Sequence, residues 1–222
     1  MHTDKNSKPR LMAKALQERT KKSDEQIKKE FPFQAKSRLV VQGHHPQSIR
    51  TDSPTASLLT FNLVCSIATI FQCIVTACDA YTAYLQSQGI SRLLILRPPR
   101  PPPPGVSAHD LLRAFGSIHG AKDAGRSWWR KLFRTLKKHN WKMSKIEAAL
   151  FFLAVDGCLQ GILITHVDDL FCAGQGDVYH QTLKSMETEL HLKIKHKEFR
   201  FCGKNVKQLD DFTIQLDQLD AI

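Results

Sequence analysis

Residues 159–174 read LQGILITHVDDLFCAG, a stretch in which two adjacent aspartates, Asp168 and Asp169, interrupt sequence that is otherwise almost entirely apolar. The apolar runs on either side have the length and β-branched content of short buried strands, which predicts a hairpin with the aspartates at its tip. Adjacent carboxylates repel each other and lose water beside a core, so a divalent cation such as Mg²⁺ would relieve them. Ordinary solvated turn chemistry is the alternative, and for an isolated Asp-Asp pair it is the commoner explanation.

The composition is that of a globular protein with an unusual excess of positive charge. The chain has 222 residues, of which 42% are hydrophobic, and a formal net charge of +11. That length suffices for one domain with a buried core. The excess of Lys and Arg favours a polyanionic partner, and nucleic acid fits best, because neutralising phosphates releases counterions. A basic surface that serves only solubility is the alternative.

The six cysteines show neither a CxxC pair nor the spacing of zinc ligands. They are predicted to be buried free thiols, which suggests an intracellular location, in cytoplasm or nucleus, rather than secretion. The uncharged residues 58–78 are long enough to raise the question of a membrane span. Polar residues interrupt them and no basic flank follows, so we expect a buried helix followed by a strand, and no membrane partner.

A third carboxylate, Asp79, follows an apolar strand predicted over residues 71–78. Taken alone, it is explained about equally well by structure and by function. If that strand lies beside the predicted hairpin, Asp79 meets Asp168 and Asp169 over one sheet. Carboxylates in this arrangement hold two divalent ions about 3.5–4 Å apart for in-line phosphoryl transfer.

Two groups of basic residues could contact phosphates. Lys36 and Arg38 share one face of a strand predicted over residues 35–41 and could clamp a phosphate chain, although charges on an edge strand are the commoner explanation. A helix is predicted from residue 124 to 139, with an apolar stripe of Trp128, Leu132 and Leu136. Beside it runs a basic stripe, for which a solvated surface is the default and phosphate binding the competitor; it comprises Arg126, Arg130 and Arg134.

The rest of the chain is predicted from local signals. The first part of the chain is predicted to contain a basic tail or frayed helix over 1–32, and a buried helix over 56–70 with its start signal at Ser53 and Pro54. A strand over 93–96 is followed by a stiff proline-rich connector or SH3-type ligand over 97–105 and a short element over 110–115. The last part is predicted to contain hairpin strands over 151–155 and from 159, a helix over 178–190, and a closing hairpin over 199–216.

Five segments, taken in order, resemble the reverse transcriptase domain of copia-type LTR retrotransposons. They are KSRLVVQG at 36–43, DAYTAYLQ at 79–86, SIHGAKDAGRSWW at 117–129, HVDD at 166–169, and FCG at 201–203 with LDQ at 216–218. The third is similar to the family's YGLKQAPRxWY segment and the fourth to its YVDD box. The resemblance implies an α/β (α+β) polymerase palm, an antiparallel sheet backed by helices, with a fingers subdomain. Residues 33–222 would form this single domain, truncated before the thumb and preceded by the basic tail at 1–32.

The same resemblance implies roles for individual residues. Asp79, Asp168 and Asp169 would be the catalytic carboxylates that hold Mg²⁺, with Mn²⁺ as an alternative, and Ala80 would add its backbone carbonyl. Tyr84 would lie under the incoming sugar and exclude a 2′-hydroxyl. The remaining implied contacts are to the nucleotide, by Lys36, Arg38 and Asp123, and to nucleic acid, by Arg126, Arg130 and Gly203.

Three positions depart from the family pattern: Asp123 stands where the family has Gln, Gly125 where it has Pro, and His166 where it has Tyr. The implied activity is RNA-directed DNA synthesis, in which a primer 3′-hydroxyl attacks the α-phosphate of a deoxynucleoside triphosphate and pyrophosphate leaves. The implied partners are an RNA or DNA template with primer, deoxynucleoside triphosphates and, in an intact element, other Pol polyprotein segments. Two alternatives stay open: a catalytically silent retroelement remnant that only binds nucleic acid, and a basic scaffold whose proline run recruits a partner.

Overall fold

A mixed sheet-and-helix architecture organises the apolar sequence. The computed structural model describes residues 40–41, 51–87 and 93–218. In these ranges the helices are α1 (Leu58–Ile70), α2 (Ala83–Gln86), α3 (Ala124–Lys138) and α4 (Asp177–Leu190). The strands are β1 (Ile74–Ala80), β2 (Leu94–Leu96), β3 (Leu112–Ala114), β4 (Lys142–Met143), β5 (Leu150–Val155), β6 (Cys158–His166), β7 (Asp169–Gly174), β8 (Leu192–His196), β9 (Glu198–Phe201), β10 (Lys204–Gln208) and β11 (Ile214–Asp217).

The main sheet has six strands in the order β4-β5-β6-β7-β1-β8, and every neighbouring pair in it is antiparallel. β9, β10 and β11 form a separate three-stranded sheet, so the predicted closing hairpin contains one more strand than expected. β2 pairs with β3, which makes the proline-rich segment the connection within a hairpin. The antiparallel sheet backed by helices confirms the predicted α/β fold class.

The β5–β6 hairpin forms where the sequence predicts it, because its turn residues suit a two-residue loop. Asp156 and Gly157 both have positive φ, +50° and +80°. Asp-Gly is a preferred pair for the hairpin turn that requires this backbone at both positions, since Gly carries no Cβ and Asp tolerates the left-handed region. The turn leads into β6 and brings its apolar residues beside those of β5.

Two hydrophobic cores lie on the two faces of the main sheet. One core joins the sheet to α3 and α4 and includes Leu170 and Cys172 of β7. The other joins it to α1 and to the β9–β10 strands, and includes Phe171 and Ala173 of the same strand. This alternation follows from the two-residue period of a strand. It explains why the sequence around the aspartates is continuously apolar rather than alternating: both faces are covered.

The first helix differs from its prediction in where it begins and in how much of it is buried. It begins at Leu58, and Ser57 caps it by accepting a hydrogen bond from the backbone N–H of Thr60 at 3.2 Å, so Ser53-Pro54 is not its start. Only one face packs on the sheet, while Leu59 is 78% and Ile70 74% exposed. The absence of charge suggested burial on all sides, but a helix lying on a sheet buries one face only.

Smaller corrections concern a strand boundary and the thiols. β1 runs from Ile74 to Ala80, so Asp79 lies within the strand rather than after it. The prediction of free cysteines is confirmed for all six, but Cys158 and Cys202 are exposed rather than buried. In the described ranges, we find no helix with the length and apolar character needed to cross a membrane. Lys36, Arg38 and the predicted tail at 1–32 lie outside the described residues.

Replacing Phe171 by Ala tests the core on the α1 side of the sheet. The Phe171 ring is fully buried and contacts the rings of Phe61, Phe199 and Phe201, with centroids 5.1, 5.9 and 5.4 Å away. We expect Phe171→Ala to lower the free energy of unfolding by about 3–5 kcal/mol, measured by urea denaturation.

The matched control for this variant is Phe115→Ala, because the Phe115 side chain is 77% exposed. It should change the free energy of unfolding by less than about 0.5 kcal/mol. Equal effects of the two substitutions would contradict the assignment of Phe171 to a packed core.

Candidate active site

The predicted aspartate hairpin is formed by β6 and β7. His166 pairs with Asp169 at the end of the ladder, which leaves Val167 and Asp168 as the two turn residues. Val167 has a φ of +59°. This left-handed backbone is unusual for a β-branched residue, so the surrounding structure must hold the turn in place. Asp168 and Asp169 are both half-buried at this tip.

The third carboxylate reaches the same place because β1 pairs with β7. Asp79 and Asp169 are register partners in this ladder. The backbone N–H of Ala80 also donates a 3.4 Å hydrogen bond to the carbonyl of Asp168, which ties the turn to β1. Asp79, which is far from Asp168 and Asp169 in sequence, is thus brought beside them at the ends of β1 and β7. Ala80 itself is buried beside them at the end of β1.

A row of acidic and basic register partners crosses β6, β7, β1 and β8 at these strand ends. Residues paired in register project from the same face of a sheet. Asp169 is paired with His166 on one side and with Asp79 on the other, and Asp79 is paired in turn with Lys193 of β8. The row therefore has two acids in its centre and a basic residue at each end. Lys193 carried no sequence signal that separates it from other lysines, because its place depends on which strand β8 joins.

A cleft of about 170 Å³ opens beside this row. Its lining combines the two paired acids with aromatic and basic side chains from β8 and β9: it includes Asp79, Asp169, Lys193, Lys195, Phe199 and Arg200. Acids and bases in one cleft suit a ligand that carries both a metal and phosphates. Among the described residues, no three His, Cys, Asp or Glu side chains are grouped closely enough to hold a metal ion as they stand.

The electrostatics of the site favour a cation. Burial raises the pKa of the Asp169 carboxyl above its ordinary value of 3.8, and the charges of Asp168 and Asp79 raise it further, while His166 acts in the opposite direction. A raised pKa means that the site disfavours its full negative charge. Carboxylate oxygens are hard ligands of the kind that Mg²⁺ prefers, so the donor set fits that ion. A bound cation would remove the repulsion that raises this pKa.

The predicted nucleotide-contacting residues lie in two places. Tyr84 belongs to α2 and is half-buried, and its ring meets the His119 ring edge-on, with centroids 5.1 Å apart. Asp123 immediately precedes α3 and is only 7% exposed, so little of its carboxylate faces solvent. Its backbone carbonyl accepts a 2.9 Å hydrogen bond from Ser127 in the first turn of α3. Lys36 and Arg38 belong to the part of the chain that the structure does not describe.

The predicted nucleic-acid contacts differ in how available they are. Arg126 is ion-paired with Asp52 at 2.9 Å, and its guanidinium lies 4.7 Å from the centre of the Trp129 ring. The side chain is 13% exposed, so a phosphate would have to compete with this existing partner. Arg130 is exposed on the same helix. Gly203 lies in the β9–β10 turn with a φ of +78°, and open space surrounds the position of a Cβ.

Replacing Asp169 by Asn tests whether the charge of Asp169 lowers the stability of the metal-free chain. The native state binds the Asp169 proton more tightly than the unfolded chain does, because the native pKa is raised. The chain therefore loses stability as the pH rises from the ordinary carboxyl value through the raised native value. We expect Asp169→Asn to raise the thermal unfolding midpoint at about pH 7. The gain should vanish at about pH 3, where the Asp169 carboxyl of the native protein is protonated in the folded and in the unfolded chain.

The control is Asp156→Asn, at the turn of the β5–β6 hairpin, which changes the charge by the same amount away from the three carboxylates. A stabilisation of equal size in Asp156→Asn, or a gain from Asp169→Asn that does not depend on pH, would contradict the predicted repulsion.

Comparisons with known proteins identify the family of the chain. A protein-family model described as reverse transcriptase (RNA-dependent DNA polymerase) matches residues 7–222. Among solved structures, the chain is similar to apo telomerase from Candida tropicalis truncated from its C-terminal domain, with 10% sequence identity and a TM-score of 0.44. That similarity covers 74% of this chain and 40% of the telomerase chain, so this chain spans less than half of the telomerase's length. No curated protein matches the sequence. Because the family match extends over nearly the whole chain, the protein belongs to the reverse transcriptase family of RNA-dependent DNA polymerases.

Proposed function

We propose that the chain catalyses RNA-directed DNA synthesis by the two-metal mechanism and belongs to the Pol polyprotein of a copia-type retrotransposon. One observation carries the catalytic part of the proposal. Asp79 and Asp169 are register partners on adjacent strands, and Asp168 occupies the turn that joins β6 to β7. A mere turn motif would not need a third acid from a distant strand. The pKa of Asp169, raised by burial and then by the charges of Asp168 and Asp79, supports a cation at this position.

In this proposal Asp79, Asp168 and Asp169 hold Mg²⁺, with the carbonyl of Ala80 as a further ligand, and Mn²⁺ can replace it. The bound ions would activate the primer 3′-hydroxyl and stabilise the oxygen that leaves with pyrophosphate. The task of the three carboxylates is to stay ionised and to keep a fixed geometry. The ends of inner strands suit this task, because β7 and β1 are paired on both sides and packed in both cores.

The positive side chains around the acids support a phosphate-bearing substrate. Lys193, Lys195 and Arg200 line the cleft that also contains Asp79 and Asp169. Their charges would balance the phosphates of a deoxynucleoside triphosphate or of a primer strand. Lys36 and Arg38 are proposed as further triphosphate ligands, and Asp123 is proposed to lie near the incoming nucleotide. Arg126, Arg130 and the turn at Gly203 are proposed to bind the template–primer.

A primer-extension assay with Mg²⁺ and an RNA template tests the activity. We expect the chain to extend the primer and Asp79→Asn or Asp168→Asn to lower the rate by about a thousand-fold or more. The reason is that metal ions supply several kcal/mol of transition-state stabilisation, and each 1.4 kcal/mol is about tenfold in rate. Asp156→Asn, at the other hairpin turn, should extend at the native rate.

The same assay separates this proposal from the catalytically silent remnant. Template–primer binding, measured by fluorescence anisotropy, should survive Asp168→Asn, because the variant keeps the basic surface. A native chain that binds the duplex but never extends it would reject the polymerase proposal and favour the remnant. Extension that persists in Asp168→Asn would reject the assigned acids.

Replacing Tyr84 by Ala tests the proposed sugar contact. If the Tyr84 ring blocks a 2′-hydroxyl, its removal should raise the preference for ribonucleotides over deoxynucleotides by about tenfold, which corresponds to about 1.4 kcal/mol of discrimination. The measurement is the ratio of kcat/KM for matched ribo- and deoxyribonucleoside triphosphates. Tyr81→Ala is the control, since Tyr81 is 74% exposed and only three residues away. An unchanged ratio in Tyr84→Ala would remove Tyr84 from the nucleotide site.

A further inference from the structure

The turn that carries Asp168 receives a hydrogen bond from the interior of the protein. The indole Nε1 of Trp128, on α3, donates to the carbonyl of Val167 at 2.8 Å. Trp128 is completely buried and lies within the core that joins α3 to the sheet. Buried indole N–H groups usually find an acceptor. In the described part of the chain this does not hold for Trp129 and Trp141, whose buried Nε1 atoms have no hydrogen-bond partner. The contact at Val167 is therefore specific to one of three tryptophans.

The hydrogen bond acts on the peptide group that precedes Asp168. Val167 has the left-handed φ of +59°, which the residue would not adopt without support. The indole fixes the plane of the Val167–Asp168 peptide. On the other side, the N–H of Ala80 binds the carbonyl of Asp168 and fixes the next peptide plane. Because the two planes that flank a Cα determine its φ and ψ, the two hydrogen bonds together fix the direction of the Cα–Cβ bond from which the Asp168 carboxylate extends.

We propose that Trp128 is a positioning residue, which orients the Asp168 carboxylate for metal binding through the carbonyl of Val167. The proposal rests on the proposed function, since it presumes that Asp168 holds a metal. Trp128 does not touch the reacting atoms. It links the turn to α3, whose Leu132 and Leu136 are also buried. Groups that orient metal ligands in this way change metal affinity or activity by about 10–100-fold when they are replaced.

The experiment compares Trp128→Phe with Trp141→Phe in the full chain. Each variant exchanges a buried indole for a smaller ring, but only the first removes a hydrogen bond, because Trp141 Nε1 has no partner in the described structure. The readouts are the Mg²⁺ concentration for half-maximal primer extension, kcat, and KM for the nucleotide. Trp128→Phe should raise the Mg²⁺ midpoint about tenfold and lower kcat about tenfold, with KM within about twofold. Trp141→Phe should leave all three within about twofold of native.

A measurement that needs no activity accompanies the kinetics. The indole N–H resonances of the native chain, assigned with Trp129→Phe and Trp141→Phe, should show Trp128 at lower field than Trp129 and Trp141, because only its proton is hydrogen-bonded. A Trp128 resonance at the same field as the other two would overturn the proposal even if Trp128→Phe fails to fold. So would equal Mg²⁺ midpoints in Trp128→Phe and native chain. A native chain without Mg²⁺-dependent extension would overturn the proposed function and the positioning role with it, while the low-field resonance would remain.

Discussion

The register between β1 and β7 is the constraint on which the candidate site depends. It sets Asp79 opposite Asp169 and places both on the face of the sheet that also carries Phe171. Because side chains alternate along a strand, a slip by one residue would turn Asp169 toward the core under α3 and α4. A carboxylate there would be buried without a partner, at a cost that exceeds any gain from the altered pairing. The proximity of the acids is thus a consequence of hydrophobic packing further along the same strands.

The position of β7 is fixed by packing on both of its faces and at the end remote from the aspartates. Leu170 and Phe171 point into opposite cores, so an exchange of faces would disturb both. At the end remote from the aspartates, Gly161 and Gly174 are register partners on β6 and β7. The Tyr179 ring of α4 packs against their bare backbones, and a Cβ at Gly174 would overlap it. The helix therefore favours one alignment of β6 with β7, and this alignment sets the turn that carries Asp168 and Asp169.

Local signals predicted most elements, but they could not predict long-range placement. The aspartate hairpin, α3, α4 and the Asp156-Gly157 turn follow from periodicity and turn chemistry, which depend on neighbours in sequence. The exposure of Leu59 was not predicted, because an uncharged helix looks the same in sequence whether one face or all of it is covered. Lys193 and the Trp128 contact also escaped prediction: each depends on which strand or turn lies alongside, and single-sequence patterns do not contain that information.

The charges of the row explain why a site with three acids need not destabilise the fold severely. Asp79 and Asp169 stand between His166 and Lys193, so each acid has one acidic and one basic register partner. His166 lowers the pKa of Asp169, against the larger effects of burial and of Asp168 and Asp79. The compensation is therefore incomplete, and the centre of the row keeps an unfavourable negative charge. A ligand that binds only the folded state stabilises it. A cation at this centre would thus contribute to folding as well as to chemistry, and the basic ends of the row would remain available to the phosphates that accompany it.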